Sequence, residues 1–174
     1  MTAIMNVAHL FVLGIAGTAC VIDLRERRIP NWLTLSAALG GFVYQAMVAG
    51  PSGLLTAGAG WLVGVGIFFL PFALGGLGAG DVKLVAALGA WLGWYDIVWL
   101  GLYTGVAGAV LAIVVSMATG YTRQALNNIW LLLMHWKVMG LRPLPEMTIH
   151  HGSGPKLAYG LAILAGTMVT VWTL

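Results

Sequence analysis

Two of the five acidic residues in this sequence stand where long apolar runs meet polar ones. Asp23 closes a run that opens near Ala3, and Asp81 opens a run that reaches Trp94. An ionisable side chain at membrane depth is costly and marks a functional site by default. Two carboxylates a few ångströms apart cannot both ionise easily, so they share a proton and titrate as a unit. The ionised member takes a proton from water while the protonated member polarises a carbonyl. This is acid–base chemistry suited to amide hydrolysis, with one activated water and without metal, cofactor or covalent intermediate. If the acids lie at helix ends, the macrodipole disfavours the anion at Asp23, a C-terminus, and favours it at Asp81, an N-terminus. Each acid also has a plainer use, Asp81 as a helix cap and Asp23 as a partner of Arg27 one turn on. Their matched depth favours the joint catalytic use.

The residues around Asp81 suit such a site. Gly78, Ala79 and Gly80 precede it, and glycine permits positive φ and close approach of a substrate strand, with N–H groups near the carboxylate. Lys83 reads first as an interfacial anchor, with a second use in favouring the Asp81 anion. A dinucleotide loop is excluded, because GxGxxG after a strand is missing. His150 and His151 lack a third metal ligand, and Ser153 lacks a base and an elbow motif. His9 reads as a packed or interfacial histidine, and Asp96 and Glu146 as loop charges. Cys20 is the single cysteine, so neither an intrachain disulfide nor a four-cysteine zinc site is available.

The elements that position the acids follow from composition. The 174 residues are 60% hydrophobic and 7% charged, against about 25% charged in a soluble domain. Such a chain faces lipid over most of its area, and unbroken apolar runs select helices rather than a barrel. The expected fold is all-α, a single polytopic membrane bundle over 1–174 with six spans. These run over about 3–22, 32–49, 54–74, 81–94, 97–119 and 157–174, the fourth being short. Residues 1–22 carry no Lys or Arg, so the first span is expected to stay rather than be cleaved as a signal, despite a faint lipoprotein-like Gly17-Thr18-Ala19-Cys20. Gly50-Pro51-Ser52-Gly53 reads as a turn. Within a polar loop over 120–154, residues 125–139 read as a helix on the membrane surface.

The eight Lys and Arg residues all fall on one side of this six-span arrangement, which is therefore the cytoplasmic side. The net charge of +3 is a topology signal, and no nucleic-acid partner is expected. Trp91, Trp94, Trp99 and Trp130 sit near span ends, as an aromatic belt would place them. Gly60–Gly64, Gly89–Gly93 and Gly101–Gly105 have the GxxxG spacing of close helix packing.

Two segments resemble the type IV prepilin peptidases, which are GxGD aspartic proteases. Asp23-Leu24-Arg25-Glu26-Arg27-Arg28-Ile29-Pro30-Asn31 looks like the family's aspartate followed by a basic stretch and Ile-Pro-Asn. Gly78-Ala79-Gly80-Asp81-Val82-Lys83-Leu84 looks like its GxGDxKL motif. Leu157-Ala158-Tyr159-Gly160 loosely echoes a Pro-Tyr-Gly segment, with Ala158 in place of proline. The resemblance implies that Asp23 and Asp81 are the catalytic pair and that Gly78, Ala79, Gly80 and Lys83 form the active-site loop. It implies cleavage of basic leaders after a glycine, from prepilins or pilin-like proteins, at the cytoplasmic face of a bacterial inner membrane. Implied partners are the prepilin, membrane lipid and the pilus assembly machinery. Paired CxxC motifs are missing, so the chain looks like the short form of tight-adherence (Flp-type) systems, with no methyltransferase activity expected. The alternative is a non-catalytic membrane scaffold or small transporter, although no convincing inverted repeat is visible.

Overall fold

The computed structural model describes residues 2–140 and 157–173, and all of their regular structure is helical. The elements are α1 (Thr2–Glu26), α2 (Asn31–Ala73), α3 (Ala79–Leu92), α4 (Trp94–Ala118), α5 (Thr122–Met139) and α6 (Tyr159–Thr173). Three of them, α1, α2 and α4, are long and apolar enough to cross a membrane. The protein is a membrane protein.

The breaks between helices follow from local chemistry. After Glu26 the chain takes a left-handed residue, Arg27 at φ 55°, whose N–H still closes onto the Asp23 carbonyl oxygen at 2.9 Å. Pro30 then holds an extended backbone (φ −73°, ψ 144°) as the cap of α2, and its ring disfavours helix in Ile29 before it. At 43 residues, α2 is twice the length of one crossing. Two helices meet in it at Gly50, whose φ of 60° and ψ of −138° suit only glycine. Pro51 starts the second half, the helix position where its missing N–H costs nothing. The expected four-residue turn is therefore a one-residue break.

The halves of α2 run in opposite directions along α3. Asn31 meets Lys83, and Ala37 and Gly41 meet Trp91 and Ala90 on the way out. On the return, Gly60 meets Gly89 and Gly64 meets Ala86. The first two GxxxG pairs thus pack against each other inside the molecule. Gly101 lies on Ile67, whereas Gly105 has open space around it.

Helix α3 is the centre of the bundle. Leu84 through Trp91 are all buried, and a helix apolar all round belongs in the interior. Its 14 residues rise only about 21 Å, short of the ~30 Å hydrocarbon thickness. The expected fourth span is short, as its sequence indicates, and lies in the core; α6, with 15 described residues, is also short. Trp91 departs from the belt reading. Its ring stacks between Phe11 of α1 (5.1 Å) and Tyr44 of α2 (5.3 Å), and its Nε1–H donates to the Ala37 carbonyl oxygen at 2.7 Å. Trp94, Trp99 and Trp130 do lie on the surface.

Large apolar side chains cover the outside, among them Leu10, Leu35, Met47, Leu55, Val106 and Met117. An apolar surface of this extent needs lipid rather than water around it. Helix α5 covers the helix expected over 125–139, beginning three residues earlier. It shows Leu126, Ile129, Trp130 and Leu131 outward. His150, His151, Ser153, Glu146 and the rest of 141–156 lie outside the described residues.

Candidate active site

Three helix ends meet at one end of the bundle: the C-terminus of α1, the N-terminus of α3 and the N-terminus of α6. Asp23 stands in the last turn of α1 and is buried. Its Oδ2 accepts the Gly160 N–H at 2.9 Å, a contact between residues 137 apart in sequence. Asp81 stands in the first turn of α3, at the polar end of that helix and outside the spanning segments. Its Oδ2 accepts the Gly78 N–H at 3.1 Å. The two carboxylates are close enough for the charge of Asp23 to act on Asp81. Each acid therefore has one oxygen engaged by a backbone N–H.

The glycines before Asp81 act by proximity rather than by positive φ. Gly78 is extended at φ −80° and caps α3, which starts at Ala79. Asp81 reaches back to the cap N–H, one half of a capping box, the other half needing a side chain that glycine lacks. The plain capping use of Asp81 is thus realised together with its nearness to Asp23. A Cβ on Gly80 would stand 3.1 Å from Ile29 Cβ and 3.3 Å from the Ile29 carbonyl oxygen. Lys83 donates to Asn31 Oδ1 at 2.8 Å. The two sequence motifs are therefore interlocked, Ile29 seated on Gly80 and Asn31 holding Lys83. Lys83 joins the loop to α2, and it is not among the groups that set the Asp81 charge.

Burial raises the Asp81 carboxyl from its ordinary 3.8 to about 6; the Gly78 N–H lowers it, and the nearby Asp23 charge adds to the rise. Desolvation thus outweighs the favourable helix end. The folded state holds a proton between pH 4 and 6 that the unfolded chain releases, so this group stabilises at the acid side and its contribution is lost as pH rises through 6. Relative to Asp81→Asn, wild-type protein in detergent should lose on the order of 1–2 kcal/mol over that window, after discounting for partial exposure. Parallel thermal-melting curves for the two proteins across pH 4–7 would contradict this.

Tyr159 and Gly160, to which the sequence alone assigns no role, also meet the site. Tyr159 feels the Asp81 charge, packs edge-on to Phe68, and sets its hydroxyl against Gly108. It also lines a cavity of about 690 Å³ walled by the second half of α2, α4, Asn128 and Ile129. The lining is apolar apart from Asn128 and the Tyr159 hydroxyl. Among the described residues no three His, Cys, Asp or Glu side chains gather as a metal set.

The profile of the type IV leader peptidase family matches residues 10–113. The chain belongs to that family. The match includes both Asp23 and Asp81, whereas Gly160 lies beyond it. Similar curated proteins are named prepilin leader peptidase/N-methyltransferase. That of Aeromonas hydrophila is 32% identical over 114 residues, 62% of this chain and 39% of the relative. That of Dickeya chrysanthemi is 34% identical over 115 residues, 59% of this chain and 39% of the relative. That of Escherichia coli (strain K12) is 36% identical over 104 residues, 56% of this chain and 46% of the relative. The alignments thus span about two fifths of the family members' length. No solved structure matches.

Proposed function

We propose that this protein is an aspartic endopeptidase that removes the leader from type IV prepilins or pilin-like proteins. In this reading Asp23 and Asp81 are the catalytic pair, one ionised and one protonated, and Gly78, Ala79, Gly80 and Lys83 shape the loop beside them. The observation that carries it is the meeting of two acids from opposite helix ends, each with one oxygen engaged by a backbone N–H. The remaining oxygens are then the sites for water and the shared proton. Water attacks the scissile carbonyl carbon and gives its proton to the anionic carboxylate. The protonated carboxyl donates to the carbonyl oxygen. Collapse of the tetrahedral species breaks the C–N bond and passes a proton to the leaving amine.

The basic residues Arg25, Arg27, Arg28 and Lys83 share the acid end, which supports a cytoplasmic active site in an inner, multi-pass membrane protein. Cleavage after a glycine, at the junction of a basic leader with an apolar helix, fits an acid pair at this depth. Membrane lipid and pilus assembly machinery are the further partners of this reading. Methyl transfer is not proposed for these 174 residues.

The test is co-expression with a candidate prepilin, following its size on gels. Wild type should shorten the prepilin, and the double variant Asp23→Asn/Asp81→Asn at equal membrane level should leave it intact. Processing that survives the double variant would return the chain to the scaffold or transporter reading.

A further inference from the structure

Gly160 lies beyond the residues that the family model matches, yet it meets one of the two acids. Its N–H belongs to the first turn of α6, where backbone donors have no intrahelical acceptor. The acceptor it finds is Oδ2 of Asp23, in a buried bond of 2.9 Å. A Cβ at this position would stand 3.0 Å from both Cβ and Oδ2 of Asp23 and 3.2 Å from Cys20 Cα. So Asp23 closes the N-terminus of α6 from another helix, and only a residue without a side chain lets it lie that close. The positive end of α6 thereby offsets the negative end of α1 on which Asp23 sits.

We propose that Gly160 is a positioning residue for the acid pair: its N–H holds one oxygen of Asp23, so that docking of α6 sets the carboxylate orientation from which water is activated. The matching bond on Asp81 is local, from Gly78 three residues away. Asp23 has instead a long-range support, and the pair is complete only when α1, α3 and α6 are assembled. This inference rests on the aspartic peptidase reading above. The titratable groups nearest Asp23 are Cys20 on α1 and Asp81 on α3, with Tyr159 beside Gly160 on α6 and Arg27 one turn on. None of these changes in the variants below.

The experiment uses the full chain in detergent and a synthetic peptide with a basic leader, a junction glycine and an apolar helix. Gly160→Ala keeps the N–H and adds the crowding Cβ. An amide-to-ester replacement at residue 160, made by ligating a synthetic C-terminal segment, removes the N–H and adds no bulk. Gly101→Ala is the packing control, because its Cβ would press on the Ile67 side chain between α4 and α2 and leave the docking of α6 alone. Both variants at 160 should lower kcat at least about tenfold, since small misplacements at a reacting centre are costly. The ester should do so with KM within about twofold of wild type, because it alters the hold on a reacting acid and leaves the substrate contacts in place. Gly101→Ala should lower the melting temperature and leave kcat within about twofold of wild type. An ester variant with the wild-type kcat, or one that loses activity through KM alone, would overturn the proposal, and does so even where Gly160→Ala fails to fold. Full activity in Asp23→Asn would instead overturn the aspartic reading on which it stands.

Discussion

Asp81→Asn should abolish leader cleavage, by on the order of 10⁴-fold or more in kcat, in a protein that still folds. The replacement keeps the size of the side chain and an oxygen that can accept the Gly78 N–H, so α3 keeps its cap. What disappears is the capacity to hold and release a proton. Asp23→Asn should behave alike, its amide oxygen still accepting from Gly160. The double variant decides whether the acids work as one unit. Residues that act together lose their effect at the first removal, so the double variant should fall no more than a few-fold below the worse single one. Product formation by purified variants, read by mass spectrometry, measures this. Losses that multiply would show two acids acting independently.

The largest effect on stability should come from a single methyl group. Gly60→Ala places a Cβ within contact of the Gly89 carbonyl oxygen and 2.8 Å from the carbonyl carbons of Gly89 and Gly93. These are backbone atoms of a buried helix and cannot rotate away. Overpacking of this kind costs typically 1–3 kcal/mol and more where the backbone must move, so a loss of about 3 kcal/mol or more is expected here. Gly66→Ala, in the same half of α2, meets nothing within 4 Å. There the better helix propensity of alanine should raise stability by about 0.5–1 kcal/mol. Opposite shifts in melting temperature from the same chemical change, six positions apart, would locate the packing face of α2. Equal shifts would remove the proposed contact with Gly89. Leader cleavage should fall in Gly60→Ala as well, because α3 carries Asp81.

The acids were legible because charge is scarce in this chain and both stand at the ends of apolar runs. The fold class followed from composition, and the alternation of segments placed both acids at one end. What remained hidden was decided by contacts between distant residues. Gly160 carries no chemistry of its own, and its bond to Asp23 appears only when α6 docks on α1. Trp91 near a segment end reads as a belt residue until Phe11 and Tyr44 close on both faces of it. Lys83 reads as an interfacial anchor, with a second use in favouring the Asp81 anion, until Asn31, 52 residues away, proves to hold it. The break at Gly50 was visible as Gly-Pro, but how few residues it needs depends on one glycine torsion. The shortness of α3 was legible too, but not its enclosure, since hydropathy records that a helix is apolar and not whether lipid or protein surrounds it.

That enclosure bears on how the chain enters the bilayer during synthesis. Helix α3 is too short to be handed to lipid as an independent unit, and glycines bound it at both ends, Gly78 and Gly93. The α2 hairpin precedes it out of the ribosome and offers the groove floored by Gly60 and Gly64. Insertion of α3 is therefore an act of tertiary folding against a waiting partner. The acid that opens α3 reaches its place by the same step, so Asp81 comes beside Asp23 only after the α2 hairpin is in place.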